Sequence, residues 1–268
     1  MRSLRKNTAD FLEILILEAL GRVRSGYYWT DFSGATKRTS LKDSIAKCSD
    51  APIIAEIKQM SPSFGSLRCI TDTGEVAKSM EAGGAVGISV LTEPKHFGGS
   101  LARLAEVKRA VSLPVLMKDI IVDPIQIEAA TKLGADALLL IHSVFSRGML
   151  HHTLDGMIKR AHSVGLEVLL ETHTADEFRA ALNTDADLVG VNNRDLTTLE
   201  VNLEITRRVL GTTDFGDRIV VSESGIHNPA DIRFLGECGA RAYLVGSAIM
   251  RAENIEKKVR ELVMAYRK

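Results

Sequence analysis

A chain of 268 residues with 45% hydrophobic side chains can bury a sizeable core, and its 34 basic residues are matched by 34 acidic ones. With no net charge and no block of like charge, the composition argues against a nucleic-acid or membrane-surface partner, though a local basic pocket is still allowed. Cys48, Cys69 and Cys238 are scattered, and the seven histidines show no metal-ligand spacing, which predicts a reducing, cytoplasmic setting and no metal site.

The first segment, Phe11 to Leu20, is strongly apolar and follows Arg2, Arg5 and Lys6, in outline like a signal peptide. Glu13 and Glu18 interrupt it, and no small-x-small cleavage site follows before Arg22 and Arg24. A spanning helix needs about 20 apolar residues. The segment therefore reads as a helix packed on its own domain or on a second subunit, with a monomer or weak homodimer expected. After a loop from Gly26 to Ser40, a short helix over Leu41–Ala46 leads into alternating segments. Short runs rich in Val, Ile and Leu predict strands at 53–58, 86–91, 115–118, 137–141, 167–171, 188–191, 219–221 and 242–245. Amphipathic stretches predict helices at 76–81, 101–110, 124–133, 154–163, 175–182, 203–209 and 229–237, and a last helix over 255–266.

Eight such strand–helix units predict an α/β chain folded as a (β/α)8 TIM barrel with an N-terminal helical extension. The expected organisation is one domain over 1–268, with the extension at 1–50 and the barrel at 51–268. Gly84-Ala85, Gly134-Ala135, Asp185-Ala186 and Gly239-Ala240 each lead into an apolar run, at a spacing of roughly fifty residues that fits an internal repeat of two units. An open doubly wound sheet is the alternative, but no Gly-x-Gly-x-x-Gly follows a predicted strand.

Barrel chemistry sits at the carboxyl ends of the strands. There the chain carries Glu56 and Lys58 on the first strand, Ser89 and Leu91 on the second, Lys118 on the third, Glu171 on the fifth, Asn192 and Arg194 on the sixth, and Glu223 on the seventh. Glu56 and Lys58 share a face with Ile54 at strand period two. A charged pair on such a face is costly unless it is paired or used, and a structural ion pair is one reading of it. Three carboxylates and two lysines on one rim suit acid–base chemistry. The last two strand ends differ: Ser224-Gly225 and Gly246-Ser247 are small, and a single helical turn is predicted at Ser247–Met250. Loops after strands seven and eight form the common phosphate site of this fold.

Taken together, these strand ends resemble the indole-3-glycerol phosphate synthase family from Pro52 to Arg251. The resemblance rests on Ala-Glu-Ile-Lys with Ser61-Pro-Ser, Ser-Val-Leu-Thr-Glu with Phe97-Gly-Gly-Ser, Lys118-Asp, Asn-Asn-Arg-Asp-Leu-Thr-Thr-Leu-Glu200, Ser-Glu-Ser-Gly-Ile226 and Leu-Val-Gly-Ser247. It implies conversion of 1-(2-carboxyphenylamino)-1-deoxyribulose 5-phosphate to indole-3-glycerol phosphate, carbon dioxide and water, without metal or organic cofactor. By similarity Lys118 matches the general acid for ring closure, and Glu171 and Glu56 match the carboxylates that position it and serve later proton transfers. Lys58 matches a substrate contact and second acid, while Ser61, Asn192 and Glu223 match residues that hold the substrate and Arg194 the polar network beside Asn192. Ser224, Gly225, Gly246 and Ser247 match the phosphate grip, and the Ser61-Pro62-Ser63 loop is expected at the edge of a lid.

Two features depart from the family pattern. Ile120 stands where an aromatic usually packs on the substrate ring, which leaves ring binding shared with Phe97 and Leu91. Gln59, Met60 and Phe64 occupy a loop that usually carries basic residues. Two other readings stand beside the synthase. One is a barrel that binds a phosphorylated ligand without turnover. The other is a sister isomerase such as phosphoribosylanthranilate isomerase, which resembles a Cys base on the first strand and an Asp acid on the sixth; Glu56-Ile-Lys58 and Asn192 stand there instead.

Overall fold

The computed structural model describes residues 10–32, 38–61, 65–195 and 198–267. Eight parallel strands close into a barrel in sequence order: β1 (Ile53–Ile57), β2 (Gly87–Leu91), β3 (Val115–Lys118), β4 (Ala137–Ile141), β5 (Glu167–Thr172), β6 (Leu188–Asn192), β7 (Val220–Glu223) and β8 (Ala242–Val245), which pairs back with β1. The strands are mostly apolar because both of their faces are covered, with most of their polar residues toward the carboxyl ends. On β1, Ile53, Ala55 and Ile57 pack outward on the helices, while Ile54 joins Leu116, Leu139, Leu169, Val221 and Leu244 in the lumen.

Local chemistry sets the helix limits. Asp123 and Gln126 form a capping box around Pro124–Leu133, which stops at Gly134 with φ 84°. Asn228 and Asp231 do the same for Pro229–Glu237. Both helices match the sequence expectation because the capping signals are written in local residues. Asp72 caps Thr73–Ala82 three residues ahead of the predicted start, and the final helix gives way to a 3₁₀ turn at Met264–Tyr266. The short helices Pro94–Phe97 and His142–Ser146 and the hairpin Met60–Ser61 with Gly65–Ser66 were not anticipated; each is too short for periodicity to declare itself.

The extension closes both ends of the barrel. Helix α1 (Phe11–Arg24) begins at Asp10, whose side chain accepts from the Glu13 N–H, and lays Leu12, Leu15, Ile16 and Ala19 on the lumen cluster. It crosses the carboxyl ends of the strands. Arg22 reaches Glu93 at 3.0 Å and Asp119 at 3.6 Å, Tyr28 donates to Asp119 at 3.0 Å, and Arg147 pairs with Asp10. Helix α2 (Leu41–Lys47) seals the opposite end. The N–H groups of Leu41 and Lys42 donate to Glu167, and Thr39 N–H donates to Asp136, both at the starts of strands. Of the two options left open for the apolar first helix, packing on its own barrel is the one observed.

Candidate active site

The mouth under α1 is a pocket whose wall contains Glu56, Lys58, Leu91, Phe97, Lys118, Ile120, Glu171, Asn192, Arg194, Glu223, Ser224, Gly225, Gly246 and Ser247. Of the residues singled out from sequence, Ser89 is not on this wall: it lies fully buried in β2, paired in register with Glu56. Ser61 closes the short hairpin strand, and its side chain, like residues 62–64 of the expected lid edge, lies outside the described residues.

Two charged clusters face one another. On one side Lys58 Nζ lies 2.8 Å from Glu56 Oε1. Gly246 makes room for them, since a Cβ there would sit 2.4 Å from Glu56 Oε1 and 3.1 Å from Lys58 Nζ. On the other side Lys118, the last residue of β3, donates to Glu171 Oε2 at 3.0 Å and to Glu223 Oε2 at 3.1 Å. Gly190 lies on β6, between the strands that carry these two carboxylates, and a Cβ at Gly190 would fall 2.4 Å from Glu223 Oε1. Asn192 Nδ2 donates to Glu171 Oε1 at 3.0 Å, and Asn192 Oδ1 accepts from the Arg194 N–H. The sequence could place all these residues at strand ends, but not show that two glycines supply the space they fill.

Burial sets the protonation pattern against the neighbouring charges. It works to discharge Lys118, but Glu171, Glu223 and Glu56 outweigh it and raise the ammonium above its ordinary value. It also opposes ionisation of Glu171, yet Lys118 and His173 hold this carboxylate well below the usual range. Glu223 goes the other way: burial, with the like charges of Glu171 and Glu56, pushes it up to about 8 in spite of Lys118. The surroundings thus favour the charged forms of Lys118 and Glu171 and the protonated form of Glu223. Two carboxyl groups around one lysine, shifted in opposite directions by their surroundings, form the kind of set that acid–base chemistry can use.

Beside the charges lies an apolar wall. Leu91, Phe97 and Ile120 were expected there; Leu15 of α1, Leu139 and Ile141 were not. Leu15 was missed because the helix could be recognised from its apolar run while its docking place could not. On the remaining side, Ser224 at φ 66° and Gly225 at φ 83° end β7 next to Gly246 and Ser247 at the end of β8. A Cβ on Gly225 would lie 2.6 Å from Val201 Cγ1, so this turn takes no other residue without displacing its neighbour.

A closed barrel with paired lysines and carboxylates in the pocket at its mouth defines the class, a (β/α)8-barrel enzyme. Solved structures share that architecture: N-acetylmannosamine-6-phosphate 2-epimerase from Clostridium perfringens superposes with a TM-score of 0.59 at 15% identity, over 82% of this chain and 94% of that one. Thiamine phosphate pyrophosphorylase from Pyrococcus furiosus superposes with a TM-score of 0.58 at 18% identity, over 83% and 96%. Such distant likeness carries the fold alone. Sequence comparison goes further. The family model described as Indole-3-glycerol phosphate synthase matches residues 24–262. The protein named indole-3-glycerol phosphate synthase in Desulforamulus reducens is 42% identical over 80% of this chain and 79% of its own length. Its namesake in Methanopyrus kandleri is 45% identical over 80% and 84%. The chain belongs to the indole-3-glycerol phosphate synthase family, and is a carboxy-lyase of tryptophan biosynthesis acting on a phosphorylated small molecule.

Proposed function

We propose that Lys118 is the general acid of ring closure in the conversion of 1-(2-carboxyphenylamino)-1-deoxyribulose 5-phosphate to indole-3-glycerol phosphate. The observation that carries this is the lysine's position: it donates to Glu171 and Glu223 and lines the pocket. Those two bonds leave the third N–H for a substrate oxygen. As the aromatic carbon attacks the keto carbon, the oxygen takes a proton from Lys118, and Glu171 keeps the ammonium aimed. Loss of carbon dioxide restores the aromatic ring. The intermediate's hydroxyl then leaves as water, which needs a second acid and a base; the Glu56–Lys58 pair on the facing wall fits that step. Asn192, Arg194 and Glu223 border the reacting centre, the Leu91, Phe97 and Ile120 wall takes the aromatic ring, and Ser224, Gly225, Gly246 and Ser247 take the phosphate. In this reading the extension and barrel act as one domain, in a cytoplasmic monomer or weak homodimer without a nucleic-acid or membrane partner.

The test is turnover followed by indole absorbance. Lys118→Ala is expected to lower kcat by about 10²–10⁴-fold. A near-normal kcat under conditions where chemistry limits the rate would remove Lys118 from the role. Absence of turnover by the folded wild-type protein would overturn the synthase reading itself.

A further inference from the structure

From Glu171 the charge continues outward, through half-buried side chains, to the first turn of the next helix. His173 follows the end of β5 directly, two residues after Glu171. Its Nε2 lies 3.2 Å from Glu171 Oε1 and its Nδ1 3.6 Å from Glu177 Oε2, so the ring meets both carboxylates at ion-pair distance, without an aligned hydrogen bond from Nε2. The backbone N–H of His173 donates to the same Glu177 oxygen at 2.7 Å. Glu177 is in the first turn of the helix Ala175–Leu182, which Thr174 caps. Lys118 faces the cluster on the Glu171 side, and His142, which opens the helix His142–Ser146, adds positive charge near Glu177. His173 is not among the residues that line the pocket.

We propose that His173 is a positioning residue for the acid–base cluster: clamped as an imidazolium between Glu171 and Glu177, it holds Glu171 ionised and turned toward Lys118. This rests on the reading of Lys118 as the general acid. Charge balance gives the physical reason. Glu171 is buried and pairs through Oε2 with Lys118. Once Lys118 has passed its proton to the substrate, that pairing loses its positive charge, and a buried carboxylate without a cation is costly. A second cation on Oε1 keeps Glu171 charged and aligned through that moment, and Glu177 in turn keeps the imidazole protonated. Burial alone would discharge His173, but the two carboxylates raise it to about 9.

The full-length wild type and the variants His173→Ala, His173→Gln and Glu177→Gln test the clamp. NMR of the labelled imidazole is expected to show His173 protonated beyond neutrality, titrating near 9, and at lower pH in Glu177→Gln. Titration of His173 at about 6.5, the ordinary histidine value, would overturn the proposal. This reading does not depend on turnover, so failure of the clamp and failure of the synthase assignment are separable. In kinetics, His173→Ala should lower kcat by about 10- to 100-fold through misplacement of Glu171, with KM changed by about twofold or less. His173→Gln, which keeps an N–H but not the charge, should recover part of the loss. A variant that loses thermal stability while kcat and its pH profile stay as in the wild type would show a structural role only and would also overturn the proposal.

Discussion

Gly190 and Glu223 show how narrowly the site is cut at the scale of single residues. The carboxyl of Glu223 occupies the space a side chain at position 190 would need, and it is one of the two groups that hold Lys118. Gly190→Ala is therefore expected to push Glu223 off Lys118 and lower kcat, with an overpacking cost of about 1–3 kcal/mol. Parallel measurement of kcat and thermal unfolding checks this; an alanine variant with wild-type kcat would mean that the carboxyl relocates without consequence. Ile120, buried on the pocket wall, raises a separate question. Replacement by Phe would restore the ring that the family pattern has there, gaining about 0.5–1.5 kcal/mol of aromatic contact. A lower KM for Ile120→Phe is the expected outcome, and an unchanged or higher KM would mean that Phe97 and Leu15 already fill the ring's place.

Helix α1 is part of the wall of the candidate site, through Leu15, rather than an appendage. Its register over the mouth is set by Arg22, whose guanidinium meets Glu93 and Asp119 where both carboxylates are buried. Asp119 also accepts from Tyr28 and from Thr92 Oγ1 at 2.6 Å, and it directly follows Lys118. Removing the cation from such a cluster leaves uncompensated buried charge and costs about 3–5 kcal/mol. Arg22→Met should thus destabilise the protein strongly and raise KM as Leu15 withdraws from the pocket. Arg147→Met removes only the more exposed pair with Asp10, and should cost about 1 kcal/mol or less. Urea unfolding of the two variants followed by circular dichroism tests the contrast, and equal losses would refute it.

The stability of the whole molecule should follow the same buried groups with pH. Glu171 is depressed in the folded state, so its contribution is present above the unfolded carboxylate value and is lost as pH falls through the depressed one. His173 is raised, so its contribution is complete below about 6.5 and disappears as pH rises toward about 9. Glu223, raised to about 8, favours the folded state in its protonated form and so opposes stability increasingly between its unfolded value and about 8. The signs combine to place maximum stability on the acid side of neutrality. Calorimetry across pH should show Tm falling between about pH 6.5 and about 9, with a smaller fall in Glu223→Gln. A Tm that rises over this interval would contradict the assigned charge states.

The order of eight apolar runs and intervening amphipathic stretches was enough to derive the barrel, because parallel strands covered on both faces and capped helices are specified by neighbouring residues. Glu56, Lys58, Lys118, Glu171, Asn192 and Glu223 were legible for the same reason: in this fold a strand's carboxyl end is a place in space as well as in sequence. What only the tertiary structure decided was contact across the ring. That α1 lies over the mouth, that Gly190 and Gly246 are the voids holding two carboxylates, and that Ser89 drops below the pocket all depend on strand register and barrel curvature. His173 shares the strand-end signal, but its partner Glu177 comes from the next helix, and only their packing turns that histidine into a charge beside Glu171. Local sequence specifies which groups are available; the closed ring brings them within reach and sets their protonation.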